Sequence, residues 1–268
     1  MRPSSLAVCA LEFCERGSKV RFINAGFPRP IVSGYDGFAE SLGDELGAAP
    51  LGWFHHRYPL MDCDMPEGYL YLWTDGLSDH AEKLDVDPLA LADRLLRQKR
   101  DDDRSLYGAT DDIAVVRLKC PGTRADAPLY IPVVSISIQG SELERIDKWQ
   151  AYFESSMRLA IPDVDGGRLA EILLCLREAL INALKYGCEQ KRSKVAEVRI
   201  ACSADGKEVK TLIVDPGTGH CFDVASHSAR LADDTIAEHR GLMIMQSVPV
   251  RFQSAENGSR VMMDFSMN

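Results

Sequence analysis

The chain has 268 residues, of which 46% are hydrophobic and 26% charged, with a formal net charge of -9. That length allows two ordinary domains, and the balance of residue types is that of a soluble globular protein. The acidic excess argues against a basic surface built to hold nucleic acid, but leaves room for a phosphate ligand held by backbone amides and a metal.

No apolar run approaches the roughly 20 residues needed to cross a bilayer, so no membrane partner is expected. The apolar stretch near Met1 is interrupted by Glu12 before any cleavage-like site. The eight cysteines form no Cys-x-x-Cys pair and sit mostly in apolar runs. They are expected to be reduced core residues of a cytoplasmic protein rather than zinc ligands.

In chain order, Leu6 to Glu12 and Lys19 to Asn24 read as strands, with a short strand at Ile31 and Val32. Residues 34–59 carry weak periodicity and read as loop with strand fragments. Tyr69 to Trp73 is a strand expected to stop in a turn at Thr74-Asp75-Gly76. Pro88 to Lys99 is an amphipathic helix with Pro88 in its first turn. Ile113 to Leu118 is an apolar strand, and the Pro/Gly/Asp-rich residues 120–128 read as a linker.

The second half opens with a strand, Tyr130 to Ile138, and a helix from about Glu142 to Leu159 with Ser141 as its expected N-cap. A second helix follows, with Leu169, Leu173, Leu176, Leu180 and Ala183 at helical spacing. Its other face carries Glu171, Glu178, Asn182 and Lys185. Val195 to Ser203 and Glu208 to Val214 form a hairpin around Asp205-Gly206. Residues 220–239 show little apolar pattern and fit a lid over a ligand as well as they fit disorder. Gly241 to Val248 reads as a short helix, and two strands flank Asn257-Gly258. The expected fold class is α+β, with one sheet and one helical layer in the second half.

Three pieces of that half suit an ATP site lacking a lysine-bearing glycine loop. Asn182 can supply an oxygen to Mg²⁺ from a helix. Asp215, just past an apolar strand, can accept a hydrogen bond from an exocyclic amine, while Gly217 and Gly219 let backbone come close. Gly241, at an expected helix start, can offer amides to phosphates. Each piece alone is an ordinary turn, surface amide or helix start; their order and spacing make them a set.

Glu178-Ala-Leu-Ile-Asn182-Ala, Asp215-Pro-Gly-Thr-Gly219 and His239-Arg-Gly-Leu-Met-Ile-Met245 resemble the N, G1 and G2 boxes of the histidine-kinase-like ATPase superfamily. The arrangement is most similar to anti-sigma factor serine kinases, over residues 129–268. The resemblance implies a Bergerat-type ATP-binding α/β sandwich with ATP and Mg²⁺ as cofactors. Glu178 would be the general base, Asn182 the Mg²⁺ ligand and Asp215 the adenine acceptor. Lys185, Gly217, Gly219, Arg240, Gly241 and Leu242 would complete the nucleotide site. The implied substrate is a Ser or Thr of an anti-sigma factor antagonist. A sigma or anti-sigma factor and a second copy of the chain are further candidate partners. A sensor histidine kinase fits poorly, because His55 and His56 lie in a Pro/Trp-rich loop rather than on a dimerising helix.

Asp75 and Asp111 are acids at strand ends, a placement that can hold hard divalent metals in a hydrolytic site. With Asn24-Ala-Gly26, Thr74-Asp75-Gly76-Leu77 and Asp111-Asp-Ile113, residues 1–119 resemble the sporulation-type branch of the metal-dependent protein phosphatase 2C family. That implies Mn²⁺ or Mg²⁺ at Asp75 and Asp111. The family's Asp-x-Ser-Gly-His-Gly-like motif has no counterpart, so an incomplete segment and a poor phosphatase are expected. Two alternatives stand beside the kinase: a non-catalytic module that sequesters an antagonist or sigma factor, and a phosphoserine phosphatase completed by a longer chain.

Overall fold

The computed structural model describes residues 7–14, 18–43, 49–51, 57–65, 67–97, 106, 108–120, 129–219, 236–255 and 258–267, with backbone alone at 236–240 and 242. The linker residues 121–128, the candidate lid 220–235, and His55 and His56 lie outside the described residues.

The N-terminal part is built from two antiparallel sheets and two helices. Strands β1 (Val8–Cys14), β2 (Lys19–Ala25) and β5 (Met61–Asp64) form the first sheet, in the order β1-β2-β5. Strands β3 (Ile31–Gly34), β4 (Ala39–Ser41), β6 (Gly68–Trp73) and β7 (Val115–Lys119) form the second, in the order β4-β3-β6-β7. Between them pack Val20, Phe22, Val32, Leu42 and Leu70. On the other side of the second sheet, Tyr71 and Trp73 meet the helices α1 (Asp75–Leu84) and α2 (Pro88–Arg97) through Leu77, Ala81, Leu89 and Leu91.

Helix α1 departs from expectation. The residues read as a turn at Thr74-Asp75-Gly76 instead open α1, because Thr74 is pinned outside the sheet: its amide bonds the Ala114 carbonyl (3.0 Å) and its hydroxyl the Asp112 carbonyl (3.0 Å). The helix stops where Asp85 takes a left-handed conformation (φ 53°).

The C-terminal part is one five-stranded antiparallel sheet under a layer of helices. The sheet order is β11-β12-β10-β9-β8, with β8 (Tyr130–Gln139), β9 (Val195–Ser203), β10 (Glu208–Val214), β11 (Arg251–Ala255) and β12 (Arg260–Ser266). The expected hairpin of β9 and β10 has the predicted bounds, and Val198, Ile200 and Cys202 are buried. Alternation explains this: one face of a strand meets the helices while the other does not.

Three helices cover the sheet: α3 (Ile146–Ala160), α4 (Gly166–Asn182) and α5 (Ile236–Ser247). Leu169, Leu173, Leu176 and Leu180 of α4 are all buried against the sheet together with Phe153 and Met157 of α3. Asp165 caps α4 by accepting the Arg168 amide at 2.8 Å. Ser141 does not cap α3. A 3₁₀ segment, Gly140–Arg145, precedes that helix and holds Ser141 inside it. Gly140 fixes this entry: its amide donates to the Lys194 carbonyl (2.9 Å), and a Cβ would come within 2.7 Å of the Cys188 Cβ.

The two parts are closely joined. Ala90 of α2 belongs to the core of the C-terminal part. Phe38 packs on the sheet face away from the helices, with Tyr130, Ala201 and Leu212. No helix among the described residues is long and apolar enough to cross a membrane. The described cysteines form no disulfide, and burial pushes the thiols of Cys175 and Cys188 up to about 11.

Candidate nucleotide site

The long helix α4 does not end in an ordinary α-turn. From Ala183 to Gly187 it widens into a π-turn, immediately after Asn182. The Cys188 amide then bonds the Ala183 carbonyl at 2.7 Å, and Glu189 and Gln190 take left-handed conformations. Single π-turns of this kind recur at functional sites because they re-aim the side chains beside them. Here the widened turn brings the backbone of Gly187 to Asp215.

That contact depends on a missing side chain. A Cβ on Gly187 would lie 2.0 Å from Asp215 Oδ1. Gly217 closes the other side: its amide donates to Asp215 Oδ1 at 2.8 Å, and its own Cβ would lie 2.8 Å from the Gly187 Cα. The Asp215 amide donates to the Ser259 carbonyl (2.9 Å), which anchors the residue at the end of β10. Asp215 is therefore cradled between two glycines, and one of its oxygens is committed to the loop that carries it. Gly187 was not singled out from the sequence. Its only local signal is a glycine at a helix end, which ordinarily marks a stop.

Asn182 and Asp215 line one narrow cleft whose apolar walls are Ala179, Ala183, Ile213, Met245 and Val261. The gap has room for little more than one water molecule, so a flat ligand would need these walls to part. Among the described residues, the side-chain amide of Asn182 makes no hydrogen bond. Lys185 is exposed on the π-turn, with its ammonium 4.7 Å from the Tyr186 ring centroid. Gly219 ends the described loop with a positive φ of 81°, a conformation that favours glycine.

Gly241 differs from its sequence-based role. It lies well inside α5, not at a helix start, because residues 236–240 continue the helix upstream. Its amide is thus outside the first turn, where free donors occur. Its function in the structure is steric: a Cβ there would lie 2.2 Å from Glu178 Oε2. Helix α5 can approach α4 at Glu178 because position 241 carries no side chain. One turn from that contact, the Cys175 thiol reaches the Ile244 carbonyl (3.8 Å). The side chains of Arg240 and Leu242 lie outside the described residues.

The structure thus gathers Glu178, Asn182, Asp215, Gly217 and Gly241 around the end of α4. Asp215 and Asn182 bring the acceptor types that an adenine nucleotide with its metal would need: a carboxylate for the base and a side-chain amide oxygen for a hard cation.

The N-terminal acids are arranged differently. A Cβ on Gly76 would lie 3.3 Å from the Asp111 Cβ, so the two loops do meet. Yet both carboxylates are exposed and bonded within their own turns: Asp75 Oδ1 accepts the Gly76 amide (3.0 Å), and Asp111 Oδ1 the Asp112 amide (2.8 Å). Among the described residues no three His, Cys, Asp or Glu side chains gather as a metal site.

Residues 140–265 match the family model of the histidine kinase-like ATPase domain. Among solved structures, the chain is similar to the RsbU and RsbW domains of Rv1364c from Mycobacterium tuberculosis. That match has 15% identity over 97% of this chain and 69% of that one, with a TM-score of 0.32. No match is found among curated proteins. The C-terminal part is thus a histidine kinase-like ATPase α/β sandwich.

Proposed function

We propose that the chain is a partner-switching regulator that binds ATP with Mg²⁺ and phosphorylates a Ser or Thr of an anti-sigma factor antagonist in the cytoplasm. The observation that carries this reading is the convergence of Glu178, Asn182 and Asp215 around one end of α4. We assign residues 1–119 to a phosphatase 2C-like segment, 120–128 to a linker and 129–268 to the ATPase domain.

In this reading Asp215 accepts a hydrogen bond from the adenine amine, and Asn182 offers its amide oxygen to the metal. Bound Mg²⁺ would neutralise charge developing on the phosphoryl group. Glu178, one helical turn before Asn182, accepts the proton of the attacking hydroxyl. Gly217 and Gly219 keep the loop close to the nucleotide, while Lys185, Arg240, Gly241 and Leu242 border the phosphates. The partner class follows from the motif resemblance of residues 178–245.

The test is incubation with radiolabelled ATP, Mg²⁺ and small antagonist-like proteins. We expect label on a partner Ser or Thr, lost in Asn182→Ala. In Glu178→Gln nucleotide binding is kept and turnover lost. Nucleotide binding without any labelled protein would instead favour a sequestering module.

The exposed, self-bonded acids Asp75 and Asp111 support a weak or inactive phosphatase segment in this chain. Robust Mn²⁺-dependent release of phosphate from a phosphoserine protein would overturn that part.

A further inference from the structure

One buried carboxylate takes no part in the nucleotide site. Asp87 precedes α2, is 3% exposed, and stands where the N-terminal part meets the ATPase domain. Its Oδ1 accepts the Leu89 amide at 2.9 Å, which caps the first turn of α2. Its Oδ2 accepts the Ser135 amide of β8 (3.1 Å) and the Tyr152 hydroxyl of α3 (3.2 Å). The Asp87 amide in turn donates to Ser156 Oγ of α3 at 2.9 Å. One residue therefore binds α2, β8 and α3 together.

The β8 contact has a structural consequence. Strand β8 is an edge of the five-stranded sheet, and an edge strand presents amides with no ladder partner. Asp87 satisfies one of them with a side chain from the other part of the molecule. Beside it, the Ser135 hydroxyl donates to the Ala39 carbonyl of β4 (2.8 Å), and Arg97 donates to the Ala160 carbonyl at the end of α3 (2.8 Å).

We propose that Asp87 is a latch that locks the N-terminal part onto the β8 edge and α3 of the ATPase domain, and that proton uptake by its carboxylate tightens the lock. This goes beyond the kinase reading and does not depend on it. Among the described residues no Lys, Arg or His forms an ion pair with Asp87. The groups facing it are the Leu89 amide on α2, the Ser135 amide on β8, and Tyr152 and Ser156 on α3. The nearby Asp85, exposed on the α1–α2 connection, adds further negative charge at Tyr152. A buried carboxylate with three donors and no cation is caught between desolvation, which favours the neutral form, and hydrogen bonds, which favour the anion. Desolvation prevails and pushes the Asp87 carboxyl up from 3.8 to about 6.

The sign follows from linkage. Undocked and in water, Asp87 titrates near its ordinary value; docked, it holds its proton to higher pH. The extra docking stability is fully present below the undocked pKa and is lost as pH rises through about 6. Between pH 7.5 and 5.0 the docking equilibrium should strengthen on the order of tenfold.

Hydrogen exchange at the Ser135 amide, corrected for intrinsic rate, reads this directly on the full chain. We expect protection to rise about tenfold from pH 7.5 to 5.0 in the wild type. Asp87→Asn should abolish that pH dependence, and Asp87→Ala should lose protection at both pH values. In Tyr152→Phe, losing one hydrogen bond to the anion should move the midpoint upward. A flat wild-type profile, or a midpoint unmoved by Tyr152→Phe, overturns the proposal. Full protection in Asp87→Ala also overturns it. If Asp87→Ala fails to fold, the other three proteins decide the matter.

Discussion

Two parts of the molecule place acids at the ends of secondary-structure elements, and the acids meet different surroundings. Asp215 at the end of β10 is held between Gly187 and Gly217, which come from separate segments of chain and leave no room for a side chain. Asp75 at the start of α1 and Asp111 before β7 are also neighbours, but each spends its carboxylate on the next amide of its own turn and stays exposed. Residue type and strand-end position are the same in both cases. What differs is whether other elements close around the carboxylate. A cradle formed by distant glycines fixes a side chain for a ligand, whereas a local Asp turn is satisfied by itself and demands nothing from the rest of the fold.

The largest test of this contrast is Gly187→Ala. With a Cβ 2.0 Å from Asp215 Oδ1, the carboxylate or the π-turn has to move. Affinity for a non-hydrolysable ATP analogue, measured calorimetrically, should fall about a hundredfold, or about 2.7 kcal/mol. A change below threefold would mean that the cradle does not position the base-binding acid. Gly241→Ala should act at Glu178 instead, 2.2 Å from the new methyl. We expect turnover to drop about tenfold with a smaller change in nucleotide affinity. Equal losses in both would show that α5 packs against the nucleotide site as a whole rather than against Glu178. The smallest effect belongs to the N-terminal acids. Asp75→Asn with Asp111→Asn should leave nucleotide affinity within about twofold and stability within about 0.5 kcal/mol, as for other exposed positions. A strong Mn²⁺-dependent rise in melting temperature, lost in the double variant, would show that the two carboxylates do hold a metal.

Much of the C-terminal part was legible in the sequence because its signals are periodic. The leucines of α4 recur at helical spacing, and β9 and β10 alternate around an Asp-Gly turn, so their bounds and buried faces follow from pattern alone. Helix α1 was hidden because its only buried apolar side chains are Leu77 and Ala81, too few to announce a helical face after a strand. The 3₁₀ entry to α3 was hidden for another reason: it depends on Gly140 fitting against Cys188 and Lys191, far along the chain.

The sequence by itself determined which side chains could carry chemistry: a carboxylate and an amide four residues apart on α4, an acid after a strand, and glycines near both. Tertiary structure alone decided what those glycines do. Gly241 read as a helix start and proved to be a close-packing position, while Gly187, which no sequence pattern marked, proved to be a wall of the Asp215 cradle. The physical reason is that a glycine's local signal reports only conformational freedom. Its steric role depends on what approaches the missing Cβ, and that partner comes from elsewhere in the chain. The junction at Asp87 obeys the same logic: no sequence pattern marks it, and only the packing of α2 on β8 and α3 makes it a buried bridge.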